Sequence, residues 1–121
     1  MTDRRLAWLL AQLVADEVAA KAATPGKWTL PRLDDEEIGD PTLYKWEDEE
    51  HIVTWDPVRA LAVVAALRQI VDEHAPRTSK RWCRSCDDEL GHPRPWPCRT
   101  VKAIASIYAD RPGYAEVWGG G

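Results

Sequence analysis

The chain has no Phe, one Met and three Cys among its 121 residues, and its longest unbroken apolar run, Ala60 to Leu67, is short. A bilayer span needs about 18–20 consecutive apolar residues, so no membrane-crossing helix is expected. Three Cys cannot all pair internally, which excludes a disulfide framework of the secreted type. No Gly-rich phosphate loop and no Ser nucleophile elbow occurs. The N-terminal Arg4-Arg5-Leu6-Ala7-Trp8-Leu9-Leu10-Ala11 resembles a signal peptide, but Gln12, Asp16 and Glu17 interrupt its apolar region, so an amphipathic helix is the better reading.

What is present fits one ordinary globular core. Hydrophobic residues make up 45% and charged residues 30%, which argues against a disordered or collagen-like chain. Seven Trp stand in for the missing Phe, and their dispersal along the chain points to a core role more than to an aromatic ligand cage. The net charge of −4 hides an asymmetry: ten acids against Lys45 between Asp34 and Asp56, then seven bases against three acids between Arg77 and Lys102. Solvated loops explain this better than partner steering does, and the acidic total disfavours wholesale binding to nucleic acid.

Periodicity predicts a first helix from Thr2 or Asp3 to about Ala23, with Leu6, Leu9, Leu10, Leu13, Val14 and Val18 as its apolar stripe, stopped by Thr24-Pro25-Gly26. Lys27–Leu30, Thr42–Glu47 and His51–Trp55 read as short strands of a small antiparallel sheet, with residues 47–50 as a hairpin tip and 34–41 as a loop. Asp56-Pro57 is a strong helix start, because Asp caps and Pro is pre-shaped for the first helical position. That helix runs to about His74 and places Leu67, Ile70, Val71 and His74 on one stripe. Residues 75–98 look irregular, a third helix follows from Arg99 or Thr100 to Ala109, and residues 110–121 form a turn and tail. The expectation is a single α+β domain over residues 1–121, divided into a helix (1–24), a sheet (27–56), a central helix (57–74), a metal-binding loop (75–98) and a C-terminal helix and tail (99–118).

The loop carries every Cys in the chain. Cys83-x-x-Cys86 forms a turn that aims two thiolates at one centre, and Cys98 stands before a helix whose positive end favours its thiolate. Zn²⁺ takes four such ligands in a tetrahedron. His74 and His92 compete for the fourth place; His74 is preferred, because it would join the second helix to the third through the metal. A closed structural zinc clamp accounts for the cluster better than catalysis does. A zinc deaminase needs His-x-Glu and Pro-Cys-x-x-Cys elements, and neither occurs; a thioredoxin-like site needs a βαβ context that is missing. The expectation is a non-enzymatic, cytoplasmic protein that binds a partner protein or a small ligand. The alternative is a zinc-knuckle nucleic-acid binder using Arg77, Lys80, Arg81 and Arg84 around Trp82. His51, near Glu50 and Asp56, reads as structural or exposed.

The segments Ala22-Ala23-Thr24-Pro25-Gly26-Lys27-Trp28, His51-Ile52-Val53-Thr54-Trp55-Asp56-Pro57-Val58-Arg59, Pro97-Cys98-Arg99-Thr100 and Tyr108-Ala109-Asp110-Arg111-Pro112-Gly113-Tyr114 together resemble a family of small uncharacterised proteins from actinobacteria and their phages. Lys27 stands where that family usually has a second Pro. The first two segments are also similar, less closely, to Ead-like accessory proteins of temperate phages. The resemblance implies a phage or prophage accessory role, in the host cytoplasm if phage-encoded, and supplies no mechanism.

Overall fold

The computed structural model describes residues 3–23, 25–28, 46–76 and 82–119. It is α+β, with five helices and one two-stranded antiparallel sheet among those residues. Helix α1 (Arg4–Ala22) begins where Asp3 Oδ1 accepts the Arg5 amide at 2.8 Å. Its Leu9 and Leu13 are fully buried, whereas Val14 and Val18, expected on the same stripe, are 44% and 61% exposed. α1 packs mainly along the helix Pro57–Glu73 and also against the helix Tyr114–Trp118, and Val14 and Val18 stay outside these contacts.

Helix α2 (Trp46–Thr54) replaces the expected strand His51–Trp55 and the hairpin tip at 47–50. The four acids 47–50 fall in its first half, where negative charge complements the helix dipole, and this outweighs the β preference of Ile52-Val53-Thr54. Lys27 and Trp28 are not in a strand. The remainder of the expected first strand, the loop 34–41 and Thr42–Lys45 lie outside the described residues.

Helix α3 (Pro57–Glu73) starts as expected, with Asp56 Oδ1 accepting the Arg59 amide at 3.0 Å and Pro57 in its first turn. The same carboxylate accepts the Trp28 amide through Oδ2, so one buried Asp caps a helix and holds the incoming chain. Val64 and Val71 are buried, and Leu67 and Ile70 pack against the core.

The small sheet exists, but it is built from the stretch expected to be irregular. Strand β1 (Trp82–Asp87) pairs antiparallel with β2 (Pro93–Pro95) in an irregular register. Among the described residues no strand pairs with the outer side of β2, and such an edge is where Pro is tolerated. The turn between them is fixed by Asp88 Oδ1, which accepts the amides of Leu90 and His92, and by Gly91 at φ +82°. Helix α4 (Arg99–Ser106) buries Val101, Ile104 and Ala105, and Tyr108 beyond it is also buried. Short helix α5 (Tyr114–Trp118) occupies part of the expected tail. It starts at Gly113, φ +91°, where an added Cβ would lie 2.7 Å from the Trp8 ring nitrogen.

The core consists of aliphatic residues, Cys83, Cys98, Tyr108 and one Trp, Trp96. Trp therefore does not simply replace Phe: Trp55 and Trp82 are 47% and 37% exposed. No helix among the described residues is long and apolar enough to cross a membrane.

Candidate metal centre

Three separate pieces of chain converge at the C-terminal end of α3. His74 is the residue that ends that helix, its amide donating to the carbonyls of Ile70 and Val71. Two residues later Pro76 bridges to Cys83, and the Arg84 amide donates to the Ala75 carbonyl at 3.2 Å. The Ser85 hydroxyl donates to the Glu73 carbonyl. The Ser85 bond satisfies a carbonyl that the helix end leaves open, and together these bonds seat Cys83 and Cys86 at the end of α3, on strand β1 and not in the turn expected of their spacing. Cys98 arrives from the other side as the N-cap of α4.

The imidazole Nδ1 of His74 lies 3.2 Å from Cys83 Sγ, 3.3 Å from Cys86 Sγ and 3.5 Å from Cys98 Sγ. The four ligand atoms all lie within 4.8 Å of one another. A tetrahedral Zn²⁺ with ordinary bond lengths sets its sulfur and nitrogen ligands about 3.6 Å apart and its sulfurs about 3.8 Å apart. The cluster thus has the dimensions of a metal-binding tetrahedron, and it could hold a metal ion. Cys83 and Cys98 are buried, His74 and Cys86 partly so, and all three thiols are free.

The electrostatics suit a cation. Burial, followed by hydrogen bonds that the Cys86 thiol makes to the neighbouring Cys83 and Cys98 sulfurs, pushes it up to about 12. Burial also acts against the Cys98 thiolate, but the Val101 amide, the two other sulfurs and the Thr100 amide together hold it below the ordinary thiol value. Its place at the start of α4 explains this, since free amides and the helix dipole favour negative charge there. One thiolate is favoured, further ones repel it, and a divalent cation at their centre removes the conflict.

His92, the competing fourth ligand, is elsewhere. It sits by the ribbon turn with its side chain 71% exposed and Nδ1 3.4 Å from Asp88 Oδ2. Arg84 lies exposed on β1, while Arg77, Lys80 and Arg81 lie outside the described residues. His51 is exposed on α2, its ring tilted against Trp55.

A second polar constellation was not anticipated from the sequence. Tyr108 Oη donates to Asp16 Oδ2 at 2.8 Å, and Arg111 pairs with the other oxygen of the same carboxylate and with Gln12. Burial and the Asp16 carboxylate raise the Tyr108 phenol well above its usual value. Gln12 and Asp16 share a helix face at i, i+4, but their partners are over 90 residues away and leave no local pattern.

A model of a family of unknown function (DUF6221) matches residues 2–119. The chain belongs to that family. No curated protein and no solved structure matches it. Membership in DUF6221 agrees with the resemblance to an uncharacterised family and assigns no activity, so the chemistry of this member rests on its own residues.

Proposed function

We propose that His74, Cys83, Cys86 and Cys98 bind one Zn²⁺ as a closed structural centre. The chain is then a non-enzymatic accessory protein of phage or prophage type, which acts by binding a host protein or a small ligand. The gathering of four ligand atoms from α3, β1 and the start of α4 into one tetrahedron-sized cluster supports this reading most directly. Three thiolates and an imidazole suit zinc, and four protein ligands fill its usual coordination, leaving no position for a reacting water. In a reducing cytoplasm the thiols remain available to the metal.

Such a centre has a clear physical use. The segment between α3 and α4 offers a six-residue and a three-residue strand and little apolar surface, so it has few local means of holding shape. Structural zinc contributes on the order of 10 kcal/mol in apparent terms, comparable to the whole stability of a small domain.

A zinc-knuckle nucleic-acid binder is the second reading. It is favoured by Trp82 and Arg84, both exposed on the strand that carries Cys83. Metal analysis of protein purified without chelator tests the first reading: about one zinc per chain is expected. Co²⁺ substitution should give the intense visible bands of tetrahedral thiolate coordination. A metal-free protein of equal stability would overturn the proposal.

A further inference from the structure

Along the N-terminal part of α3, displaced from the sulfur cluster at its C-terminal end, a cavity of about 520 Å³ opens between α1, α3 and the end of α4. That volume lies within the roughly 300–1,000 Å³ range of small-molecule sites. Its floor is made of small side chains, Ala20 and Ala23 from α1 and Ala60 from α3, which keep the helices from filling the space. Trp28 and Trp55 provide aromatic walls, and Trp55 is nearly half exposed at the surface. The Arg59 guanidinium lies 4.7 Å over the Trp55 ring and His51 is tilted against it, which holds the indole in place beside the hollow.

The lining is not uniformly apolar. Asp16 and Tyr108 reach the cavity, and Asp16 is the one charged residue among the described residues that line it. Each Asp16 oxygen already accepts one bond, from Tyr108 or Arg111, and each keeps a second lone pair. The phenolic oxygen of Tyr108 has acceptor capacity as well. The polar part of the lining therefore accepts hydrogen bonds, and its one charge, the Asp16 carboxylate, is shared with Arg111, which is not among the lining residues.

We infer that this cavity binds a compact aromatic or alicyclic amine, with the ring system between the Trp walls and the small-residue floor and the amine donating to Asp16. Charge complementarity selects the ligand: an ammonium finds a carboxylate, whereas an anion of the same shape meets like charge and no lining base. The aromatic faces add attraction for a cation that stays near them. The inference gives the small-ligand part of the proposed function a place in the fold, and it rests on that reading in that respect alone.

The test uses zinc-loaded full-length protein and three probes of one shape: 2-naphthylmethylamine, 2-naphthoate and 2-methylnaphthalene. Calorimetry should show saturable one-site binding of the amine, about tenfold or more tighter than either of the others. Amide resonances should shift at Asp16, Ala20, Trp28 and Val64 and stay fixed at Cys83 and Cys86. Ala20→Leu fills the hollow and should abolish binding, while Asp16→Asn should remove the preference for the amine over the methyl compound. Zinc content and the thermal transition, measured on the same samples, show that each variant is folded and keep failure of the metal reading separate from failure of this one. No saturable binding of the amine, equal binding of naphthoate, or shifts confined to another face would overturn the inference. So would a concentration-dependent dimer that buries Trp55 and Ile107 in place of ligand binding.

Discussion

His74 offers Nδ1, the ring nitrogen nearer its own backbone, to all three sulfurs. A residue that ends a helix can do this without reaching, because the ring has only to turn over the last carbonyls. The ligand is thus as rigid as α3, and its loss cannot be repaired by a mobile neighbour. His92 carries the same imidazole at the ribbon turn, paired with Asp88. The two histidines give a controlled comparison: His74→Ala should lower zinc affinity by orders of magnitude and shift the thermal midpoint down by about 10 °C or more. His92→Ala should keep full zinc occupancy and change the midpoint by no more than a few degrees. Metal analysis with thermal unfolding of both variants decides it; equal loss in the two would remove His74 from the centre. Tyr108→Phe is a second residue-level case. It leaves the Asp16–Arg111 pair in place and removes one buried hydrogen bond to a carboxylate, so a loss of about 1.5–3 kcal/mol in denaturant unfolding is expected.

Among the elements, α3 bears most of the organisation, since it packs along α1, carries His74 at one end and is capped by Asp56 at the other. The Arg59 and Trp28 amides hold the Asp56 carboxyl below the usual carboxylate value. A folded-state pKa that is depressed means a contribution present above the unfolded value, near 4, and lost as the pH falls through the folded value. Acid unfolding monitored by far-ultraviolet circular dichroism should therefore show helix loss below about pH 4 that Asp56→Ala shifts to higher pH. The same substitution should lower the thermal midpoint at neutral pH by several degrees, and an unchanged acid midpoint would show that the cap contributes nothing.

The caps are also what made the long helices legible. Asp3 and Asp56-Pro57 are local signals, and both helices begin within a residue or two of where those signals point. The cysteine spacing was informative in another way: Cys83 and Cys86 lie in one cluster with His74 and Cys98, yet they stand on strand β1 and not in the turn that the spacing suggests. Other elements had no such local code. Ile52-Val53-Thr54 favours a strand by propensity yet continues a helix begun on acidic residues, and Pro93 and Pro95 advertise a loop yet sit on the free edge of a ribbon. The ribbon is held by groups outside it, the carbonyls of Glu73 at the end of α3 and of Ala75 just beyond, which no reading confined to residues 82–95 could supply. The cavity escaped notice for a related reason: alanines spaced along α1 and α3 look like ordinary helix residues until the two helices are side by side.

For the molecule as a whole, the uneven charge along the chain bears on which partners it can take. The total of −4 opposes approach to a polyanion, and the ten acids between Asp34 and Asp56 concentrate that opposition in one segment. The basic stretch that could act against it, Arg77 to Arg84, lies in the sequence between His74 and Cys86, so nucleic-acid binding through it would depend on the metal proposed there. Any such binding would be mainly electrostatic, and log affinity would fall steeply with log salt, by close to one unit of slope per phosphate neutralised on a duplex. Four basic residues cannot neutralise many phosphates against the opposing charge. Random single-stranded RNA and duplex DNA, titrated with zinc-loaded protein at 50 and 200 mM salt, should therefore show no mobility shift at the higher concentration and at most a diffuse one at the lower. A discrete complex that survives the higher salt, disappears with Arg84→Ala and disappears again with chelator would reverse the order of the two readings. It would make the ribbon a recognition element in addition to a structural one.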